Sequence, residues 1–333
     1  MQRNERGCRL DIVIVTWNHG PLVDRCLAAI GMAAGAATVI DRVIIVDNAS
    51  EVPYAPPRGS ELPDLTVLRN ATNVGFAAAC NQGAAGSSAG CVLFLNPDTC
   101  IGKESLVTVL EAFDSFAHEH TAIIGLPLVD EAGELQATCG RELTAARILA
   151  QVTGLATIAS GRIPGFRHAV ADHRTSGPVD FVCGACLFIR REVFEQLGGF
   201  DERLEIYLED ADLALRARRL GWAVHLIAAA PVVHESGWSS RRKRPWRIAH
   251  SWRSLIVYGW THFSVPHAVA VTAAVLTLAP LARAAGAVLR GSVRDLVDAL
   301  LGFGCLWYLL CVRSFPPAVA KPIAAWSRPG STT

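Results

Sequence analysis

The feature that most constrains the fold of this 333-residue chain lies in its first hundred residues, where short apolar runs stop again and again on polar ones. Leu10 to Thr16 is rich in β-branched residues; a polar turn follows at Asn18, His19 and Gly20, then an apolar-periodic stretch from Leu22 to Met32, which together read as strand, loop and helix. Val43 to Val46, Leu65 to Leu68 and Cys91 to Leu95 repeat the strand signal, and Gly75 to Ala85 reads as a small-residue helix. Strands alternating with helices predict a doubly wound, parallel α/β sheet, whose ligands sit beyond the carboxyl ends of the strands. Those ends carry Thr16, Trp17 and Asn18, then Asp47 and Asn48, then Asn96 to Thr99.

Further along, strands are expected at Ala122 to Leu126 and Val179 to Ile189, with a helix from Ala211 to Leu220. Charge balance, 31 Lys+Arg against 30 Asp+Glu, removes the overall electrostatic case for a nucleic-acid binder, so no nucleic-acid partner is expected. The polar amino-terminal residues lack the apolar stretch of a secretory signal, so the ten cysteines are expected to be reduced thiols. Cys183 and Cys186 have metal-like spacing but no second pair, which reads better as two small residues in an apolar strand than as a zinc site.

Each polar strand end is a common loop residue taken alone. In order, however, Asp47 to Ser50, Arg69 to Ala77 and Asn96 to Thr99 gather at one sheet edge where a nucleotide would fit. Asp47 can accept from a base N–H, and the Gly75 turn lets backbone approach a ligand closely. No GxGxxG follows the first strand and no GxxxxGK[ST] occurs, which disfavours a dinucleotide fold and a phosphate-loop NTPase. Asp98 can be a helix cap or a ligand for Mg²⁺ or Mn²⁺ on a diphosphate, and His234 can be structural or a second ligand. Glu209 and Asp210 open a helix after the Gly198-Gly199 turn, so they either complement its dipole or supply a general base beside backbone bent around an acceptor.

The ordered set Thr16-Trp17-Asn18, VDNAS (46–50), RNxxNxGFAxAxNxG (69–83), NPD (96–98), GGFDE (198–202) and YxEDxDLxxR (207–216) resembles the inverting family 2 glycosyltransferases of GT-A fold, in their rhamnosyltransferase-like branch, over about residues 10–237. The resemblance implies a Rossmann-like mixed α/β sheet. Thr16, Trp17, Asn18, Asp47, Asn48, Arg69, Asn73, Gly75, Asn81, Asn96 and Asp98 would then line the nucleotide-sugar site. Asp98 and His234 would hold Mg²⁺ or Mn²⁺, with Asn96 standing where the family's metal motif has its first Asp. Asp210 would be the catalytic base and Glu209 would orient acceptor or base. The implied reaction is a single inverting displacement of a deoxyhexose, rhamnose from dTDP-rhamnose, onto a glycan or polyprenyl-diphosphate-linked cell-envelope acceptor. A galactofuranosyl- or other hexosyltransferase and an inactive nucleotide-sugar-binding scaffold are the alternatives.

Beyond the catalytic domain, expected over residues 1–237, the composition changes. Arg241, Arg242, Lys243, Arg244, Arg247 and Arg253 interleave with Trp238, Trp246 and Trp252, and no Asp, Glu, Lys or Arg occurs from Ser254 to Ala282. Residues 238–333 are therefore expected to be a basic, aromatic linker and an apolar helical region. Basic flanks on both sides of the apolar run favour a hairpin or interfacial pair with Leu296 to Val312 over a single span, the basic cluster lying on an anionic surface. That places the protein peripherally or monotopically on the cytoplasmic face of the cell membrane. A buried helical subdomain or a homo-oligomer interface is the competing reading.

Overall fold

The computed structural model describes residues 9–34, 39–57, 62, 64–115, 120–159, 162, 165–166, 173–235 and 244–312. Its first half runs β1 (Leu10–Thr16), α1 (Gly20–Ala34), β2 (Ile40–Asp47), β3 (Leu65–Arg69), α2 (Phe76–Ala84), β4 (Cys91–Leu95), β5 (Thr99–Cys100), α3 (Lys103–Ser115), β6 (Thr121–Gly125), β7 (Leu128–Val129), β8 (Cys139–Gly140), α4 (Ala145–Val152) and α5 (Leu155–Ile158). The second half runs β9 (Gly177–Pro178), β10 (Phe181–Val182), β11 (Cys186–Arg190), α6 (Arg191–Gln196), α7 (Glu209–Arg219), β12 (Ala223–Leu226), β13 (Val232–His234), α8 (Arg244–His262), α9 (Val265–Leu289) and α10 (Val293–Val312).

The main sheet has the order β3-β2-β1-β4-β11-β6-β12-β9. β3, β2, β1 and β4 are parallel, as the alternating pattern predicts, but β11 enters antiparallel to both β4 and β6, so the whole sheet is mixed. Side chains alternate across a strand. Ile12 and Ile14 face one layer with α1 and α3, while Val13 and Val15 face the other with α2, α7 and the carboxyl-terminal helices. Burial on both faces explains the unbroken apolar run of β1.

Three expectations need correction. The apolar run 179–189 is two strands rather than one, because residues 183–185 leave the ladder: Cys183 N donates to the Thr138 carbonyl and Asn96 N to the Ala185 carbonyl. The cysteines are not all thiols, since Cys91 is disulfide-bonded to a partner outside the described residues; Cys183 and Cys186 are free, without a metal-binding cluster among the described residues. The apolar run 254–282 is divided between α8 and α9 at Phe263-Ser264, and α8 buries Ile256, Val257 and Tyr258 in the core shared with the sheet.

The basic cluster is also turned inward where it is described. Residues 241–243 lie outside the described residues, but Arg244 bonds Asp295 at 2.6 Å, Arg247 Nε donates to the Tyr207 hydroxyl at 2.7 Å, and buried Arg253 donates to the Arg203 carbonyl at 3.0 Å. Trp252 is buried and Trp246 stacks on His250 with ring centroids 3.7 Å apart. These groups hold α8 to the body because a guanidinium with buried carbonyl and carboxylate partners is better satisfied there than at a surface.

Asp212 on α7 is the strongest polar tie between α7 and α8. It is wholly buried, faces His262 Nε2 at 2.7 Å and Arg216 Nη2 at 2.7 Å, and Arg216 also bonds the Leu197 and Gly199 carbonyls. Burial alone would raise its carboxyl pKa, but His262 and Arg216 outweigh that and hold it below the usual range. Asp212→Ala should therefore cost about 3–5 kcal/mol, the penalty for stripping one partner from a buried ion pair. In urea unfolding, the gap to wild type should be full above about pH 4 and shrink as pH falls through the lower folded-state value, since protonation then removes the same contact.

Candidate active site

The site begins where β4 ends. Asn96 to Asp98 turn the chain into β5, whose antiparallel pairing with β13 sets His234 opposite Thr99 and carries it beside Asp98 across 136 positions of sequence. His234 Nε2 lies 3.4 Å from Asp98 Oδ1, and Asp98 Oδ1 is buried with no hydrogen-bond partner. The imidazole tautomer follows from Gln136. Its Nε2 donates to the His234 carbonyl at 2.8 Å, which leaves Oε1 to accept from His234 Nδ1 at 2.9 Å. The proton therefore sits on Nδ1 and a bare Nε2 faces a bare carboxylate oxygen, two acceptors that a cation between them would satisfy. The donor set fits Mn²⁺ or Mg²⁺. No third His, Cys, Asp or Glu converges among the described residues, so an ion held by Asp98 and His234 would need further oxygen ligands from substrate or water.

The break at residues 183–185 joins this edge to α7. Ala185 holds Asn96 through its carbonyl, and the Gly184 amide donates to Asp210 Oδ2 at 2.9 Å. Asp210 Oδ1 accepts from Ala211 N at 2.7 Å in the first turn of α7, where the helix dipole favours a carboxylate. Its neighbour Glu209 is 6% exposed, and its Oε2 has no partner. Burial first, and the Asp210 charge second, push the Glu209 carboxyl well above the usual range. Glu209 is thus the carboxyl of the pair that burial holds against ionisation, while Asp210 is held by two backbone amides. Immediately before them, Tyr207 and Leu208 both have positive φ, 70° and 68°, backbone strain that persists only where surroundings enforce it. Here α8 does so: Arg247 holds the Tyr207 hydroxyl and Ser254 Oγ donates to the Ile206 carbonyl at 2.8 Å.

Asn96, Asp98, His234, Glu209 and Asp210 line one cavity of about 800 Å³, together with Gly184, Tyr207, Arg247 and, from α9, Ala279, Ala282 and Arg283. His19 lies close to it. Trp17 N donates to His19 Nδ1 at 3.3 Å, and burial, opposed by the Asp98 charge, lowers the imidazole pKa.

The expected nucleotide-side residues separate into two groups. Thr16 ends β1 with its hydroxyl buried and unpartnered, Trp17 is half-buried, and Asn18 is exposed at φ 63°, its backbone N–H donating to Ser50 Oγ and its Oδ1 accepting from Glu51 N. Others are taken up by the fold. Asp47 is 1% exposed and accepts from Ser50 N, Tyr54 N and Arg69. Burial would raise its pKa, but the Ser50 hydroxyl, the two amides and Arg69 bring it below the usual range. Asn48 spends its whole amide on Asn70, Asn73, Val74 and Gly75, bracketing that loop. Asn81 is buried with both ends of its amide on Phe200, so it fastens α2 to the GGFDE loop instead of lining the nucleotide site. Gly75, expected to admit a ligand, admits Glu205 instead: at φ 93° a Cβ would lie 3.0 Å from the Glu205 Cβ, and the Glu205 carbonyl caps Phe76 N at 2.6 Å. Gly199 likewise makes room for Asn81, 2.5 Å from its would-be Cβ, so the Gly-Gly turn does not bend around an acceptor.

The sequence profile described as glycosyl transferase family 2 matches residues 11–198, more than half of the chain. The chain belongs to this family. A glycosyl transferase family 21 profile matches residues 163–313. The N-acetylglucosaminyl-diphospho-decaprenol L-rhamnosyltransferase of Mycobacterium tuberculosis is 26% identical over 265 residues, covering 75% of this chain and 83% of that protein. The O-antigen biosynthesis protein RfbC of Myxococcus xanthus is 40% identical over 77 residues, 23% of this chain and 6% of that protein. Among solved structures, the mannosyltransferase PcManGT of Pyrobaculum calidifontis, in complex with GDP-Man and Mn²⁺, superposes with a TM-score of 0.51 at 17% identity, covering 92% of this chain and 81% of that one. The fold is GT-A and the protein is a glycosyltransferase.

Several groups that shape this glycosyltransferase's site carry no local signal. Gln136 sits in a stretch whose composition reads as variable loop, and its part emerges only when β13 and β7 pair. His19 reads as a turn residue, and Arg247 as one charge in a basic run. Tyr207 lies within the YxEDxD motif, yet its strained backbone is invisible to residue type.

Proposed function

We infer that this glycosyltransferase moves a deoxyhexose, rhamnose, from dTDP-rhamnose to a lipid-linked sugar diphosphate with inversion at the anomeric carbon. The carrying observation is that Asn96, Asp98, His234 and Asp210 share one cavity whose wall continues into the apolar helix α9. The relative named for transfer of L-rhamnose to N-acetylglucosaminyl-diphospho-decaprenol, alike over 75% of the chain, supports both sugar and acceptor class.

In this reading Asp210 Oδ1 or Oδ2 takes the proton of the acceptor hydroxyl as that oxygen bonds to the anomeric carbon, and the bond from that carbon to the diphosphate breaks with its electron pair leaving on phosphate. Glu209, whose charged form burial and Asp210 disfavour, orients the acceptor or the base. The Gly184 amide holds the Asp210 carboxylate in place. Asp98 and His234 would hold Mn²⁺ or Mg²⁺, which when bound supplies Lewis-acid stabilisation of the leaving diphosphate. Gln136 keeps His234 in the ligating tautomer, and the Asn96 side chain reaches the same cavity.

The helices α9 and α10 are 25 and 20 residues long, joined at residues 290–292, and expose Leu278, Leu281, Leu289, Leu300, Leu301, Trp307 and Tyr308. Such an apolar pair beside the active-site cavity suits peripheral or monotopic attachment on the cytoplasmic face, where the acceptor's lipid would be anchored. The test is a donor panel with the purified protein: dTDP-rhamnose, UDP-galactofuranose, UDP-GlcNAc and GDP-mannose, each with a GlcNAc-diphospho-prenol acceptor. Transfer from dTDP-rhamnose at least tenfold above the others, with the product's anomeric configuration opposite to the donor's by NMR, is expected. Preference for another donor, or retained configuration, overturns the reading.

A further inference from the structure

α9 has one charged residue, Arg283, in an otherwise uncharged apolar helix of 25 residues. A charge in such a helix beside lipid is costly and is kept where it has a polar partner or a function. Arg283 is exposed, and its guanidinium has no hydrogen-bond or ion-pair partner among the described residues. The acids facing it from α10 are already engaged: Asp295 pairs with Arg244 at 2.6 Å and Arg290 at 3.2 Å, and Asp298 pairs with Arg244 at 3.3 Å. Arg283 nevertheless lines the cavity that holds Asp98, His234 and Asp210. An exposed planar fork of N–H donors with no protein partner, set in the wall of this cavity, matches phosphate oxygens.

The cavity must accommodate two diphosphates. That of the donor belongs at Asn96, Asp98 and His234. The acceptor's diphosphate stands between its sugar, which must reach Asp210, and its hydrocarbon chain, which must reach lipid. Arg283 stands in the cavity wall on the helix that exposes Leu278 and Leu281, whereas Arg247, also in the lining, is engaged by the Tyr207 hydroxyl. We propose that Arg283 binds the diphosphate of a lipid-linked acceptor and so selects acceptors that carry one. This rests on the acceptor class inferred above.

The experiment uses the full chain in uncharged detergent micelles free of phospholipid, with two acceptors: GlcNAc-diphospho-farnesol and octyl β-GlcNAc, which lacks the diphosphate. Arg283→Gln should lose about tenfold more kcat/KM on the diphosphate acceptor than on the octyl glycoside, chiefly through KM, and Arg283→Lys should recover part of it. Donor KM, measured by donor hydrolysis without acceptor, should not follow the same change. Equal losses on both acceptors, or a raised donor KM, would assign Arg283 to folding or to the donor and overturn the proposal. A selective loss seen only in anionic vesicles would assign it to lipid headgroups and overturn it as well. If wild type uses the farnesol acceptor and Arg283→Gln matches it, this inference alone fails; if wild type uses neither acceptor, the inferred acceptor class fails with it.

Discussion

Asp210→Asn should leave donor binding within a few-fold of wild type and reduce kcat by about 10²–10⁴, the range a positioned general base contributes. The amide keeps the shape, but its one oxygen can accept from only one of the Gly184 and Ala211 amides and its NH2 meets the other donor to donor, so donor binding and circular dichroism check that the loop at residues 183–185 and the first turn of α7 stay in place. What it cannot do is take the acceptor proton. Glu209→Gln should cause the smaller loss, because burial and the Asp210 charge both disfavour the charged form of Glu209, and glutamine removes only that charge. Steady-state kinetics with circular dichroism of both variants separate the roles. A larger fall for Glu209→Gln than for Asp210→Asn would reverse the assignment.

Removal of the divalent ion should be nearly as damaging. The Asp98 oxygen and the bare His234 Nε2, 3.4 Å apart, repel unless a cation or a proton lies between them. Chelation with EDTA should suppress transfer by about a hundredfold or more, several kcal/mol of lost stabilisation of the leaving diphosphate, with recovery on adding Mn²⁺ or Mg²⁺. Asp98→Ala should reproduce the loss and resist rescue. Gln136→Ala should weaken apparent metal affinity by about tenfold, as expected when the group that fixes a ligating imidazole is removed. Full activity in chelator would show that protein cations alone stabilise the departing diphosphate.

The local elements were open to reading because their signals are local. β1 and β4 follow from unbroken apolar runs, α7 from an acidic first turn and a basic last turn, and Gly75 from a backbone that only glycine adopts without strain. The acidic pair at 209–210, and Asp98 with His234 as potential partners, could be singled out because carboxylates and imidazole at strand and helix ends are chemically capable groups.

Their division of labour could not be read that way. Glu209 and Asp210 are adjacent carboxylates of nearly equal intrinsic acidity, and burial, which depends on packing by residues far along the chain, sets the Glu209 carboxyl above its ordinary range. The same holds for Asn81 and Arg253: residue type offers an amide or a cation, and their neighbours at Phe200 and Arg203 turn each into a structural tie. Periodicity and backbone preference within a few residues were enough to mark β1, β4 and α7 and to single out Asp98, His234 and the acidic pair, but not short pieces such as β5 and β13, nor Gln136 and His19. Tertiary structure alone decided which groups meet, through the β5–β13 pairing that brings His234 to Asp98, and which are spent on the fold, because long-range contact and dielectric environment belong to no single stretch of chain.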